Sequence, residues 1–172
     1  MGWNDLDALL VGNGAMTGLT LDERRSAATL WAIAGSPLYS GDDLTQLDPD
    51  GLDLLTNDEV IAVNQAGRVA RPVGAARDQA PQVWSGRQDD GSLVVALFNR
   101  DGTAARDVAV SLADLGWAGP ARLRDLWARR DAGTAADRID AHLAPHACRL
   151  LRLTPAPGGG PGPKPIPDPN PR

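Results

Sequence analysis

Apolar and polar positions along the chain fall into two regimes with different periods. In the first, residues 6–11 form a short apolar run that passes into Gly12-Asn13-Gly14, the pattern of a strand end entering a loop. Thr20 and Glu23 stand three apart, as in a capping box, where the Thr oxygen accepts a free backbone N–H and the Glu reaches back. The spacing predicts a helix after them, with Ala27, Leu30, Trp31 and Ala34 on one face and Gly35 and Pro37 as its stop. Residues 37–40 read as a second short strand, and Gly41-Asp42-Asp43 as a turn. Asp48-Pro49 reads as an N-cap and first position of a helix over 49–55. Asn57-Asp58-Glu59 restarts a short helical turn ending near Asn64. Strand, helix, strand, helix is the order of a parallel α/β sheet. Two such units are too few to close a core, so Leu9, Leu10, Leu30 and Trp31 are expected to lose cover without further strands.

From about Gln79 the period shifts towards two. Runs at 83–86, 93–99, 121–127, 138–143 and 148–153, with Val108, Val110 and Leu112 alternating against Ala109 and Ser111, read as short strands. Asp90-Gly91 and Asp101-Gly102 lie between such runs and are hairpin signals. Strands at this spacing predict an antiparallel sandwich able to fold alone. After Pro155 proline and glycine dominate, which predicts a disordered or polyproline-like tail without an apolar face. The expected division is 1–68 (α/β), 76–155 (all-β) and 156–172 (tail or linker).

Composition narrows the chemistry. Hydrophobic residues make up 42% of the 172, enough for a core, and the net charge is −5 with no basic block before the tail. Nucleic acid and anionic membranes are therefore poor partners. No run approaches the ~20 apolar residues of a membrane span. Cys148 is the only cysteine, so neither an intrachain disulfide nor a thiolate zinc site is available. His142 and His146 stand at i and i+4 with Pro145 between them, which argues against a helical ligand pair. No metal or cofactor is expected. Gly12-x-Gly14 lacks the third glycine of a dinucleotide fingerprint, and no nucleophile elbow is present. Trp31, Trp84, Trp117 and Trp127 are expected in the core.

The segment richest in chemistry is Gly2-Trp3-Asn4-Asp5-Leu6-Asp7. On a strand Asp5 and Asp7 would point the same way, about 6.6 Å apart. Two readings stay open: a carboxylate pair facing one space, or one Asp capping a loop and the other solvated. Asp42 and Asp43 are expected to cap local backbone.

These residues also carry a family resemblance. Trp-Asn-Asp-x-Asp followed by Val11-Gly12-Asn13-Gly14 resembles the seventh-strand segment of glycoside hydrolase family 27, the α-galactosidase or melibiase type. Leu30-Trp31-Ala32, Ser36-Pro37-Leu38, Asp43-Leu44 and the run from Leu55 through Thr56-Asn57-Asp58-Glu59 to Gln65 keep the family's order. A β-rich end closing on Pro145-His146-Ala147-Cys148-Arg149-Leu150 agrees with it. The family often has Pro at Leu6 and Met at Ala8, and an Asp-Pro-Leu-Gly run where this chain has Ala66-Gly67-Arg68.

The resemblance implies the last two βα units of a (β/α)8 TIM barrel followed by a C-terminal antiparallel β-sandwich. It implies a retaining hydrolase removing terminal α-linked galactose from oligosaccharides or glycoconjugates, with the nucleophilic and acid/base Asp on earlier strands, so that this chain alone is expected to be inactive. It places Asp7 in the sugar pocket; Asp5, read first as positioning the loop, and Trp3, read as a sugar-facing ring or a core residue, are the further candidate substrate-binding residues. The same scaffold on a related sugar, a β-L-arabinopyranoside, is one alternative; a non-catalytic carbohydrate-binding fragment is another. A secreted parent is expected, although Met1 is followed directly by Gly2-Trp3-Asn4-Asp5 with no leader pattern. Oligomeric state is not legible.

Overall fold

The computed structural model describes residues 4–74 and 81–157. Trp3 and nearly all of the expected tail lie outside them. Among the described residues four helices precede eight strands: α1 (Gly14–Thr17), α2 (Leu21–Ala34), α3 (Pro49–Leu55), α4 (Asp58–Gln65), β1 (Arg71–Pro72), β2 (Pro81–Arg87), β3 (Leu93–Asn99), β4 (Arg106–Ser111), β5 (Ala121–Asp125), β6 (Arg130–Ala135), β7 (Arg138–Leu143) and β8 (Cys148–Pro155). Among the described residues no helix is long and apolar enough to cross a membrane.

The helix signals act as the sequence implies. Thr20 and Glu23 complete the capping box of α2, and Gly35 ends it in the left-handed conformation. Asp48 caps α3 through the Gly51 N–H, with Pro49 in its first turn. Asn57 caps α4, which is a full eight-residue helix rather than a short turn. The two strands expected at 6–11 and 37–40 shrink to one parallel bridge, Leu9 to Ser40. There Leu9 N–H donates to Tyr39 O at 2.8 Å and Gly41 N–H donates to Leu9 O at 3.0 Å. Their parallel direction is as expected; their brevity reflects outer edges that no other strand among the described residues pairs with.

The strands form two antiparallel sheets. One has six strands in the order β1-β2-β3-β8-β5-β6, the other pairs β4 with β7. The Asp90-Gly91 turn joins the paired strands β2 and β3. Asp101-Gly102 does not make a hairpin: the chain crosses there to the second sheet, where β4 finds β7. Two strands carry no apolar alternation and escape the sequence reading, β1 and the polar edge strand β6 (Arg-Asp-Ala-Gly-Thr-Ala).

Two cores share the large sheet. Leu93, Val95 and Leu97 of β3 join Val108, Val110, Ile139, Leu151 and Leu153 between the sheets. Val94, Ala96 and Phe98, the alternate residues of β3, join Leu150, Leu126 and Trp127 with Val11, Ala28, Ile33, Leu54 and Val63 from the helical part. Every residue of β3 is buried. Its unbroken apolar run is that of a strand covered on both faces, by the small sheet and by the helices.

Docking on the sheet also selects the buried side of α2. The expected face was Ala27, Leu30, Trp31 and Ala34; the buried residues are Arg24, Ala28, Thr29, Ala32 and Ile33. Apolar residues surround this helix, so tertiary contact rather than its own pattern sets the face. The expected loss of cover is partial: Leu9 is buried, whereas Leu10, Leu38, Tyr39 and Leu44 are exposed.

Candidate functional site

The loop before the parallel bridge rests on the end of α2. Asn4 Nδ2 donates to Ala34 O at 2.7 Å, Leu6 N–H to Ser36 Oγ at 3.0 Å, and Trp31 Nε1 to Asp7 O at 3.2 Å. Asn64 of α4 braces the same corner, donating from Nδ2 to Ser36 O at 2.7 Å. Asp5 and Asp7 do not stand side by side on a strand. Asp7 has a φ of 64°, and its N–H donates to Asp5 Oδ1 at 2.9 Å, so the segment is a turn closed by the Asp5 carboxylate. A non-glycine residue in this region stores strain, of order 1–3 kcal/mol, and is held there by its surroundings. Asp7 keeps an exposed carboxylate; among the described residues it accepts only the neighbouring Ala8 N–H, at 2.7 Å.

Beneath this loop lies a polar clamp absent from the sequence reading. Arg24, buried on α2, donates from Nε to Val11 O at 2.6 Å and from Nη2 to Asp48 Oδ1 at 2.7 Å. Asp48 also accepts the N–H groups of Gly51 and Gly14, at 2.6 and 2.8 Å. Asp42 accepts the Gly12 N–H at 2.8 Å, and Asn13 exchanges bonds with Asp43 and Gln46. Asp42 and Asp43 thus serve backbone, as expected. The sequence offered no clear signal for the clamp: Arg24 stands beside Arg25 in a charged first turn, and only the docking of α2 buries one of the two.

The Arg24 hydrogen bond, then the N–H groups of Gly51 and Gly14, hold the Asp48 carboxyl down to about 2, from an ordinary 3.8. Because the folded-state value is depressed, the stabilisation is complete above about pH 4 and is lost as pH falls towards 2. We expect urea midpoints of the wild type to drop more between pH 5 and pH 3 than those of Asp48→Asn, which starts lower and has no proton to take up at this position. Parallel acid limbs would show that Asp48 does not couple to folding.

His142 meets Asp107 at 2.7 Å across the small sheet, and His146 faces Glu23 at 3.7 Å. Among the described residues no group of three or more potential ligands gathers for a metal.

This arrangement matches known proteins in order along the chain. Residues 1–66 fit the family model described as α-galactosidase A, and residues 78–153 fit that of the α-galactosidase C-terminal β-sandwich domain. The chain belongs to the α-galactosidase family. It corresponds to the C-terminal portion of family 27 members: two βα units of the TIM barrel, then the sandwich. An α-galactosidase of Cyamopsis tetragonoloba is 38% identical over 158 residues, covering 90% of this chain and 37% of that protein. A family 27 β-L-arabinopyranosidase structure from Geobacillus stearothermophilus is 40% identical, with a TM-score of 0.83 over 92% of this chain and 38% of that one. α-Galactosidase I of Mortierella vinacea gives 31% and 0.79, over 88% and 39%. The chain therefore spans little more than a third of the length of these family members.

Proposed function

We propose that this chain supplies the strand ends lining one side of the sugar pocket, and the C-terminal sandwich, of a retaining exo-acting glycoside hydrolase that removes terminal α-linked galactose. Residues 1–68 belong to the barrel in this reading, 76–155 to the sandwich and 156–172 to a tail or linker. The supporting observation is Asp7, held at positive φ with its carboxylate presented outwards. A carboxylate so placed accepts hydrogen bonds from two sugar hydroxyls, strengthened by its charge. Asp5 holds the turn; Trp3, outside the described residues, stays a candidate by resemblance only. Retaining hydrolysis needs two carboxylates about 5–5.5 Å apart across the glycosidic bond. Asp5 is committed to the Asp7 N–H, so we assign nucleophile and acid/base to segments outside this sequence. A secreted address goes with this reading.

The 40% identity to the Geobacillus protein favours a second reading in which the sugar is a β-L-arabinopyranoside. The binding-module reading has less support, because Phe98, Trp117 and Trp127 of the sandwich are buried.

The test is a chimera carrying this chain in place of the matching region of the Cyamopsis α-galactosidase, assayed on aryl α-galactoside and aryl β-L-arabinopyranoside. The 172-residue chain alone should turn over neither. Asparagine tolerates positive φ as aspartate does, so Asp7→Asn removes charge while keeping the turn. It should lower kcat/KM about 10–100-fold, as expected for a hydrogen bond to a charged group worth about 1.5–3 kcal/mol. Unchanged kcat/KM in the chimera would remove Asp7 from the site; turnover by the isolated chain would overturn the assignment of the catalytic pair.

A further inference from the structure

A polar cavity, lined by none of the residues of the Asp7 loop, sits on the seam between α2 and the paired strands β5 and β8. It is about 170 Å³ and is lined by Arg25, Asp125, Trp127, Ala128, Cys148 and Arg149. The seam around it is fully satisfied. Trp127 Nε1 donates to Thr29 Oγ1 at 2.8 Å, Ser26 Oγ donates to His146 O at 2.6 Å, and Thr29 Oγ1 lies 3.3 Å from Cys148 Sγ. Asp125, the one acid in the lining, is taken: one oxygen accepts the Ala128 N–H at 3.0 Å and the other accepts Arg149 Nε at 3.2 Å.

Arg25 is the exception. Its guanidinium lies over the Trp127 ring, 5.9 Å from the centroid, and its Nε is buried without a hydrogen-bond partner. Among the described residues no acceptor pairs with any of its N–H groups. A buried donor with no acceptor is costly, and a guanidinium is never discharged in a protein. The guanidinium lies within cation–π range of the Trp127 face, and two arginines against one acid leave the cavity lining with a net positive charge.

We propose that this cavity is a binding site for a single small oxyanion, a phosphate or carboxylate group, gripped by the Arg25 fork with Arg149 as the second cation. Two oxygens on one centre match the two parallel N–H donors of one guanidinium edge. At about 170 Å³ the cavity has room for the charged group, and a larger ligand would enter by that group. Trp127 supplies a flat wall and Ala128 the rim.

The test uses inorganic phosphate as the probe on the full chain, following its 31P line width at fixed ionic strength near pH 7.5. Wild-type chain should broaden the line saturably. Arg25→Lys keeps charge and stem but loses the fork, and should bind at least tenfold more weakly. Arg25→Gln should abolish broadening, with a melting curve confirming that it folds; if it does not fold, the Lys variant decides. Glucuronate displacing phosphate, while glucose does not, would support the site with a sugar acid as its source. Failure of glucuronate to compete would support it with phosphate as the source. No broadening by wild type, or equal broadening by wild type and Arg25→Lys, would overturn the proposal. The outcome is independent of the role given to Asp7.

Discussion

Replacing Gly51 by alanine is expected to destabilise the chain by about 3 kcal/mol or more, against the usual sign for a helix. In an ordinary first turn, Ala is better than Gly by roughly 0.5–1 kcal/mol, because it loses less backbone freedom. Here a Cβ would stand 2.1 Å from Gly12 O and 2.6 Å from both Gly12 C and Cα. These are backbone atoms, and they have little room to retreat. Gly12 N–H is tied to Asp42 at 2.8 Å, Gly12 O accepts the Asp48 N–H at 3.2 Å, and Gly51 N–H is tied to Asp48 at 2.6 Å. Overpacking of this kind typically costs about 1–3 kcal/mol when side chains can move, and more when they cannot. Urea unfolding followed by far-UV circular dichroism measures it, with Asp50→Ala, exposed on the same helix, as the control. A Gly51→Ala midpoint equal to that of the wild type would mean that α3 does not sit on the Gly12 loop.

The contact explains why the sequence was readable at Asp48-Pro49 and silent at Gly51. A cap and a first-turn proline are local devices, and their physics is complete within four residues. Gly51 is required by a loop 39 residues earlier, and the Arg24–Asp48 pair spans 24 residues; neither leaves a local pattern. The same division runs through the molecule. The Thr20–Glu23 box, the Gly35 stop and the alternation of Val108 and Val110 were legible because each is local. The polar strand β6 was not, since it is held mainly by pairing with β5 and gives the core only Ala132 and Ala135. The covered faces of β3 were visible in principle, as a run of six apolar residues too continuous for a half-solvated strand.

The candidate site was legible to a different degree. Family resemblance pointed to Asp5 and Asp7, but spacing alone suggested two carboxylates aligned on a strand. The structure turns the backbone between them through a positive φ, which separates their tasks: Asp5, though exposed, closes the turn through the Asp7 N–H, and Asp7 presents its carboxylate to solvent. No pattern of residue types announces a left-handed aspartate, because the surrounding contacts to Ser36, Ala34 and Trp31 hold it there. Those contacts lie at the end of α2, so the position of the proposed sugar-binding carboxylate depends on how the helical layer is seated.

Asn57 does most to seat that layer. It is fully buried and works in both directions. Its Oδ1 accepts the N–H groups of Glu59 and Val60 at 3.1 and 3.2 Å, capping α4. Its Nδ2 donates to Leu126 O at 3.1 Å and Trp127 O at 3.4 Å, across the seam to the sandwich. Loss of the cap costs roughly 0.5–2 kcal/mol. Each buried carbonyl left without a partner costs about 1–3 kcal/mol more. Asn57→Ala is therefore expected to lose about 3 kcal/mol or more, a large share of the about 5–15 kcal/mol that holds a domain together. The exposed ion pairs across the same seam, Arg129 with Asp53 at 2.8 Å and Arg124 with Glu59 at 2.7 Å, do little to offset it, since such pairs contribute about 0–1 kcal/mol. Asn57→Ser separates the two roles. Serine caps a helix about as well as asparagine but cannot reach the two carbonyls, so it should recover only the capping part. With the seam broken, α2–α4 should unfold before the sandwich, giving two transitions by hydrogen exchange where the wild type gives one. If Asn57→Ser matches the wild type in midpoint and cooperativity, the bonds to Leu126 and Trp127 contribute nothing, and the packing of Ile33, Val63 and Leu150 with the Trp127–Thr29 and Ser26–His146 bonds joins the two layers.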